Sequence, residues 1–156
     1  MLRIGFGYDS HRFADGDHCM IGGVCVPHTR GIQAHSDGDV LLHALGDALL
    51  GAAALGDLGQ HFPDTDPRFA DVSSLVLVEH ILTLLAERQF SINNIDATVI
   101  AEQPRLSVHM TTIRHSVAKA VSLPVSQVSV KATTNEKMGW LGRGEGIAAH
   151  VVVLLS

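Results

Sequence analysis

Met1-Leu2-Arg3-Ile4-Gly5-Phe6-Gly7-Tyr8, followed at once by Asp9-Ser10-His11, reads as an opening β-strand. Side chains alternate across a strand, so residues two apart share a face. Asp9 and His11 therefore aim at one point. A third ligand from elsewhere would complete a facial metal site with an open position. Taken alone, a D-x-H pair reads more readily as a solvated carboxylate and a surface imidazole.

The stretch downstream changes that balance. Ala34-His35-Ser36-Asp37-Gly38-Asp39 is a polar loop leading into a helix, with Ser36 or Asp37 as its expected N-cap. The helix is predicted over Val40–Leu55, from apolar residues at Leu41, Leu42, Leu45, Ala48, Leu49, Ala52 and Ala53. Its first turn offers free N–H groups and the positive end of the helix dipole, a natural phosphate site. Asp39, His43 and Asp47 recur at i, i+4 and i+8 on this helix. They form either a solvent-facing stripe or a set of ligands with their supporting groups. A solvent stripe normally uses Lys, Glu and Arg, and this helix has none. Asp9, His11 and His43 together offer one carboxylate and two imidazoles, a set that suits Zn²⁺ and equally Fe(II).

The remaining elements alternate. Cys19–Val26 reads as an irregular strand or hairpin, and Gln60–Ala70 as a loop rich in Pro and Asp. Ser73–Gln89 reads as a helix capped by Ser73 or Ser74. Ile95–Ala101 is a strand, Pro104–Val121 a helix after a loop, Ser126–Ala132 a strand, Thr133–Gly146 a Gly-rich loop, and Ile147–Leu155 a final strand. The expected fold is an α+β sandwich with ferredoxin-like βαβ character, a sheet layer carrying helices on one face. It is expected to form a single catalytic domain over residues 1–156.

Composition supports a globular chain: 46% hydrophobic, 17% charged, in 156 residues. A net charge of −5 with no basic stripe argues against a nucleic-acid partner. No apolar run is long enough for a membrane span or the core of a signal peptide, so no membrane partner and a cytoplasmic location are expected. Cys19 and Cys25 do not form a C-x-x-C and read as reduced, structural thiols. Ten His beside one Trp and one Tyr raise the prior on a metal.

Two further segments carry potential chemistry. Lys131-Ala132-Thr133-Thr134-Asn135-Glu136-Lys137 ends a strand. It reads as a Thr-rich turn, or as hydroxyls and N–H groups for phosphate with Glu136 for a hard cation such as Mg²⁺. Gly142-Arg143-Gly144-Glu145-Gly146 is neither a Walker loop nor a dinucleotide fingerprint. Its glycines permit tight turning, with Arg143 available for an anion or an ion pair. The Asp residues of Phe62-Pro63-Asp64-Thr65-Asp66-Pro67 serve as turn caps on the plainest reading.

Taken together, in order and across nearly the whole chain, these motifs resemble the 2-C-methyl-D-erythritol 2,4-cyclodiphosphate synthase family. The matching pieces are Asp9-Ser10-His11, Ala34–Asp39 through His43-Ala44, Asp47–Ala52, Gly56-Asp57-Leu58-Gly59, Phe62–Asp66, Lys131–Thr134 and Gly142–Gly146. The resemblance implies a homotrimer with active sites between subunits. It implies Zn²⁺ on Asp9, His11 and His43, and Mg²⁺ or Mn²⁺ on Glu136 bridging the substrate phosphates. It makes His35 and Thr134 catalytic and sets Ser36 against the diphosphate. It assigns Asp47, Asp57 and Gly59, and the loop residues Phe62, Pro63, Asp64, Thr65 and Asp66, to the substrate. Ala101, Pro104, Arg105, Leu106 and Thr133 would form the cytidine pocket, with Trp140 as an aromatic wall.

Arg105 stands where the family commonly has Lys, which changes hydrogen-bond geometry at the nucleotide. Trp140 replaces a Phe. Arg143 and Glu145 would cap an axial cavity able to hold an isoprenoid diphosphate, near His150 on the last strand. The implied reaction is closure of 4-diphosphocytidyl-2-C-methyl-D-erythritol 2-phosphate to the cyclic diphosphate with loss of CMP, a step of non-mevalonate isoprenoid biosynthesis. Two rival readings are a non-catalytic trimer binding isoprenoid diphosphates, and a metal-dependent hydrolase.

Overall fold

The computed structural model describes residues 1–63 and 72–156. The central strand of its main sheet is β7, Gly146–Leu155, which pairs antiparallel with β1, Arg3–Ala14, in a register that sets Asp9 opposite Ala149 and His11 opposite Ile147. On the far side of β7 lies β5, Ile92–Ile100, also antiparallel, and beyond it β6, Val128–Thr133, parallel to β5. A two-residue strand β4, Gly31–Ile32, closes the other edge, giving the order β4-β1-β7-β5-β6. A separate hairpin joins β2, His18–Ile21, to β3, Val24–Pro27. The parallel β5–β6 pair is bridged by helix α4, Met110–Ala120, and is the expected βαβ element.

Helix α1, Val40–Ala52, lies across β1 and β7, and α3, Ser74–Glu87, packs on α1. The strand–helix contact is unusually close because β1 has no side chain where α1 crosses it. A methyl group on Gly5 or Gly7 would overlap the carbonyl oxygen of Ala48 or Ala44. Alanines on α1 facing glycines on β1 let two backbones touch. Gly5 and Gly7 are in phase with Asp9 and His11, so the same strand face that receives the helix carries the candidate ligands. The opposite face leaves Ile4, Phe6, Tyr8 and Val152 exposed, Ile4 by 74% and Phe6 by 60%. Leu41, Leu45, Leu49, Ile81, Ile95, Val151 and Val153 form the core between sheet and helices.

The N-cap expectation needs correcting. Asp39, not Ser36 or Asp37, caps α1: its carboxylate accepts from Leu42 N–H at 3.0 Å. The same carboxylate accepts from Gly22 N–H at 2.8 Å and Gly23 N–H at 2.6 Å, tying the β2–β3 hairpin to the helix start. Burial lifts its carboxyl above the usual range, against the pull of those three N–H groups. Asp37 serves α3 instead, accepting from the Ser74 N–H at 2.9 Å, while Ser73 takes the expected N-cap position.

Other boundaries shift for local reasons. Helix α1 ends at Ala52 rather than Leu55, because Ala54 turns left-handed and Leu55 N–H bonds the Leu50 carbonyl at 2.9 Å, a Schellman closure. Helix α4 starts at Met110, not Pro104, since a turn closed by His109 N–H on the Leu106 carbonyl comes first and buries Leu106. The β6 segment begins with a 3-10 turn, Val125–Gln127. Two four-residue helices, α2 (Leu58–His61) and α5 (Gly139–Gly142), lie where loops were expected; they are too short to show a period.

Candidate metal centre and active site

Helix α1 sets His43 beside Ala44, the residue whose carbonyl meets Gly7, and so brings its ring over the end of the strand face that carries Asp9 and His11. Asp9 Oδ2 lies 2.9 Å from His11 Nε2 and 3.1 Å from His43 Nδ1. The two imidazole nitrogens are 3.1 Å apart. Three donors this close to one another, one oxygen and two nitrogens, fit a single first-row divalent ion with bonds of about 2.0–2.2 Å. All three side chains are part-exposed, so an ion here keeps a face open to a ligand.

In the metal-free triad the electrostatics are those of an ion pair. Burial would raise the Asp9 carboxyl, but hydrogen bonds and charge from His11 and His43 hold it at about 2. Burial pulls His43 down, and the bond to Asp9 outweighs it, so His43 rises above its ordinary value.

The outer face of His43 is also fixed. Its Nε2 stands 2.9 Å from Ser74 Oγ and 3.1 Å from Ser36 Oγ. With Nδ1 turned to the metal position, the ring proton belongs on Nε2 and is donated to a serine hydroxyl. Ser74 in turn donates its own proton to Asp37. Such outer partners fix the tautomer and orientation of a ligating imidazole. From sequence, Asp37 and Ser74 are candidates for helix caps only. The contact that gives them this role spans 37 positions and has no local signature.

The polar line on α1 is not a solvated stripe. Asp39 is fully buried, His43 belongs to the triad, and Asp47 accepts from Leu58 N–H at 2.8 Å, anchoring the start of α2. Asp57 caps α2 through Gln60 N–H at 3.0 Å.

The triad sits in a cavity of about 410 Å³ that also takes in His35, Ser36, Asp47, Gly59 and Phe62. Pro63 is exposed beside it. Asp64, Thr65 and Asp66 lie outside the described residues.

A second group of sequence-selected residues gathers elsewhere. Ala101, Pro104 and Leu106 are buried, while Arg105, Thr133, Thr134 and Glu136 are exposed. Ala101 N–H bonds the Thr133 carbonyl at 3.0 Å, and Thr134 Oγ1 donates to Glu136 at 3.1 Å. None of this group lines the metal cavity of its own chain. Trp140 shares a smaller recess with Ser10, His11, Arg12 and Glu145, and Arg143 pairs with Glu145 at 2.6 Å.

The sequence relationships span the same ground. The YgbB family profile matches residues 2–156. The chain is 56% identical to 2-C-methyl-D-erythritol 2,4-cyclodiphosphate synthase of Pseudomonas aeruginosa strain UCBPP-PA14, over 99% of this chain and 98% of that protein. Among solved structures it superposes on a 2C-methyl-D-erythritol-2,4-cyclodiphosphate synthase in a CDP-bound form, with TM-score 0.91, 35% identity, and 99% and 100% of the two chains covered. It also matches 42% of the longer bifunctional IspDF from Campylobacter jejuni, with TM-score 0.95, 40% identity and 99% of this chain covered. A profile match that begins before the ligand strand and runs through its partner β7 leaves no part of the site outside the relationship, and the chain belongs to the YgbB family.

Proposed function

We propose that this chain is a phosphorus–oxygen lyase that closes 4-diphosphocytidyl-2-C-methyl-D-erythritol 2-phosphate into 2-C-methyl-D-erythritol 2,4-cyclodiphosphate and releases CMP, in non-mevalonate isoprenoid biosynthesis. The observation that carries this reading is the convergence of Asp9, His11 and His43 in a cavity shared with His35 and Ser36, in a chain so similar over its whole length to the cyclodiphosphate synthases.

The reaction needs neither water nor a protein nucleophile. An oxygen of the 2-phosphate bonds to the β-phosphorus. The bond from that phosphorus to the bridging oxygen breaks, and the electron pair leaves on CMP. What the protein must supply is proximity and charge neutralisation for two repelling phosphates. Asp9, His11 and His43 would hold Zn²⁺, and Glu136 a Mg²⁺ or Mn²⁺; bound there, such ions supply positive charge to phosphate oxygens. His35 and Ser36 face the diphosphate from the rim of the cavity. Asp57 and Gly59 bind the substrate beside α2, joined by Phe62, Pro63, Asp64, Thr65 and Asp66 around the erythritol part. Ala101, Pro104, Arg105, Leu106 and Thr133 receive the cytidine, and Thr134 contacts the phosphorus centre as charge builds.

Two groups of site residues that stay apart within one chain are brought together by a neighbouring copy. The exposed apolar strip of Ile4, Phe6, Tyr8 and Val152 supports a homotrimer packed through this sheet face. Residues 1–156 act as one catalytic domain. Arg143 and Glu145, just before β7 begins, would cap an axial cavity that receives an isoprenoid diphosphate. Among the described residues no helix is long and apolar enough to cross a membrane, and the proposed location is the cytoplasm.

The test is to supply substrate and Mg²⁺ to the zinc-loaded protein and follow phosphorus NMR. The expected result is CMP together with a cyclic diphosphate. Release of inorganic phosphate would identify a hydrolase, and absence of CMP from zinc-loaded trimer would refute the proposal.

A further inference from the structure

We propose that Glu102 is a positioning residue that sets the loop carrying Thr134 and Glu136, and links it to the nucleotide segment. The loop is held in an unfavourable shape. Glu136 and Lys137 are consecutive non-glycine residues with φ of 51° and 61°, both left-handed. Left to itself such a pair relaxes, so something must hold it.

One atom does much of this. Glu102 Oε1 accepts from Asn135 N–H at 3.0 Å and from Lys137 N–H at 3.1 Å. Successive N–H groups of a left-handed turn form a concavity suited to an anion, and here the anion is a side chain of the same protein. The two N–H donors flank Glu136, so the bond pair fixes the residue between them. Asn135 Nδ2 closes the loop on the Met138 carbonyl at 2.7 Å, and Gly142 gives the Lys137 backbone room to pass.

Glu102 is also the residue after Ala101, whose N–H bonds Thr133, and two before Pro104. It therefore joins the nucleotide segment to the segment proposed to meet the phosphates. The inference rests on the cyclase reading for its kinetic consequence, but not for its geometric one.

The experiment uses the full-length protein with Glu102→Ala and Glu102→Gln. Gln keeps an oxygen able to accept both N–H bonds; Ala does not. Hydrogen exchange at the Asn135 and Lys137 amides should quicken at least tenfold in Glu102→Ala and stay near the parent in Glu102→Gln. Zinc content and melting temperature should be preserved in both. In turnover, Glu102→Ala should lose tenfold or more in kcat and need more Mg²⁺ for half-activation, with a smaller change in KM, while Glu102→Gln recovers most of the rate. Unchanged amide exchange in Glu102→Ala overturns the proposal. So does quickened exchange with full kcat and an unchanged Mg²⁺ requirement. If the parent makes no cyclic product, the functional reading fails, and the exchange data still decide whether Glu102 holds the loop.

Discussion

Replacing Gly7 with alanine should break the metal centre without touching a ligand. Neither Gly5 nor Gly7 has a positive φ, so alanine suits the backbone there and the whole effect is steric. The added methyl would overlap the Ala44 carbonyl oxygen and stand 2.8 Å from the Ala48 nitrogen, where ordinary contact begins at 3.4 Å. Helix α1 must retreat by at least 0.6 Å to relieve the nitrogen, and further to clear the oxygen. His43 rides on that helix, next to Ala44, while Asp9 and His11 stay with the strand. A metal site tolerates errors of about 0.2 Å in its bond lengths. Zinc affinity should therefore fall by about tenfold or more, as it does when an outer hydrogen-bond partner is lost. Overpacking against backbone, which cannot swing aside, should cost about 3 kcal/mol. In a chain of this size that lowers Tm by about 6–12 °C. The control is Gly51→Ala on the same helix, where none of the described residues offers an atom within 4 Å of the new methyl; it should be neutral or stabilising by up to about 1 kcal/mol. Zinc affinity is read by competition with a chromophoric chelator, and Tm by calorimetry. A Gly7→Ala protein with parental affinity and a Tm within about 2 °C of the parent would refute the claim that backbone contact sets the ligand geometry.

Ser74→Ala removes the hydroxyl that accepts from His43 Nε2 and should weaken zinc binding about 10–100-fold; parental affinity would show that Ser36 suffices. His43→Ala should leave the purified protein without the zinc proposed for the parent, checked by elemental analysis of both. The metal-free protein should lose stability in acid. The Asp9 carboxyl, at about 2 against an ordinary 3.8, stabilises the fold fully above pH 3.8 and loses that contribution as pH falls through about 2. The loss is about 2 kcal/mol, and Asp9→Asn should remove it from the pH-dependent unfolding curve. Phe6→Glu, on the exposed sheet face, should break the proposed trimer and give the mass of a single chain by light scattering, since in that assembly a buried charge would face its copies. Thr134→Ala should reduce kcat more than it raises KM, because its proposed contact strengthens as charge builds on phosphorus.

Much of this was legible before any coordinates. The shared strand face of Asp9 and His11 and the helical stripe of Leu41, Leu45 and Leu49 are local properties, and both survive folding intact. The convergence of His43 on Asp9 and His11 followed from a pattern of residue types, and the geometry agrees with it. What escaped is what depends on distant partners. Sequence offers Asp37, beside Ser36, as a cap for the nearest helix, yet it serves Ser74 on α3, because capping preference identifies a good acceptor without saying whose N–H will reach it. Asp39 carries three N–H groups from two separate elements, so its burial could not be read from its neighbours in sequence. Helices α2 and α5 escaped because four residues show no period.

The pairing of β1 with β7 has a consequence for how the metal centre comes into being. Asp9 and His11 precede His43 in the chain, and the strand bearing the first two gains its main sheet partner only when residues 146–155 arrive. Pairing across so long a span is slow compared with forming α1 or the hairpin. A growing chain therefore carries all three ligands long before it can hold them at 2.9–3.1 Å. In the proposed zinc site, an ion bound at full strength thus certifies a completed sheet. By mass action it also favours the finished fold over every truncated or misregistered one, by about 4 kcal/mol when free zinc stands a thousandfold above its dissociation constant.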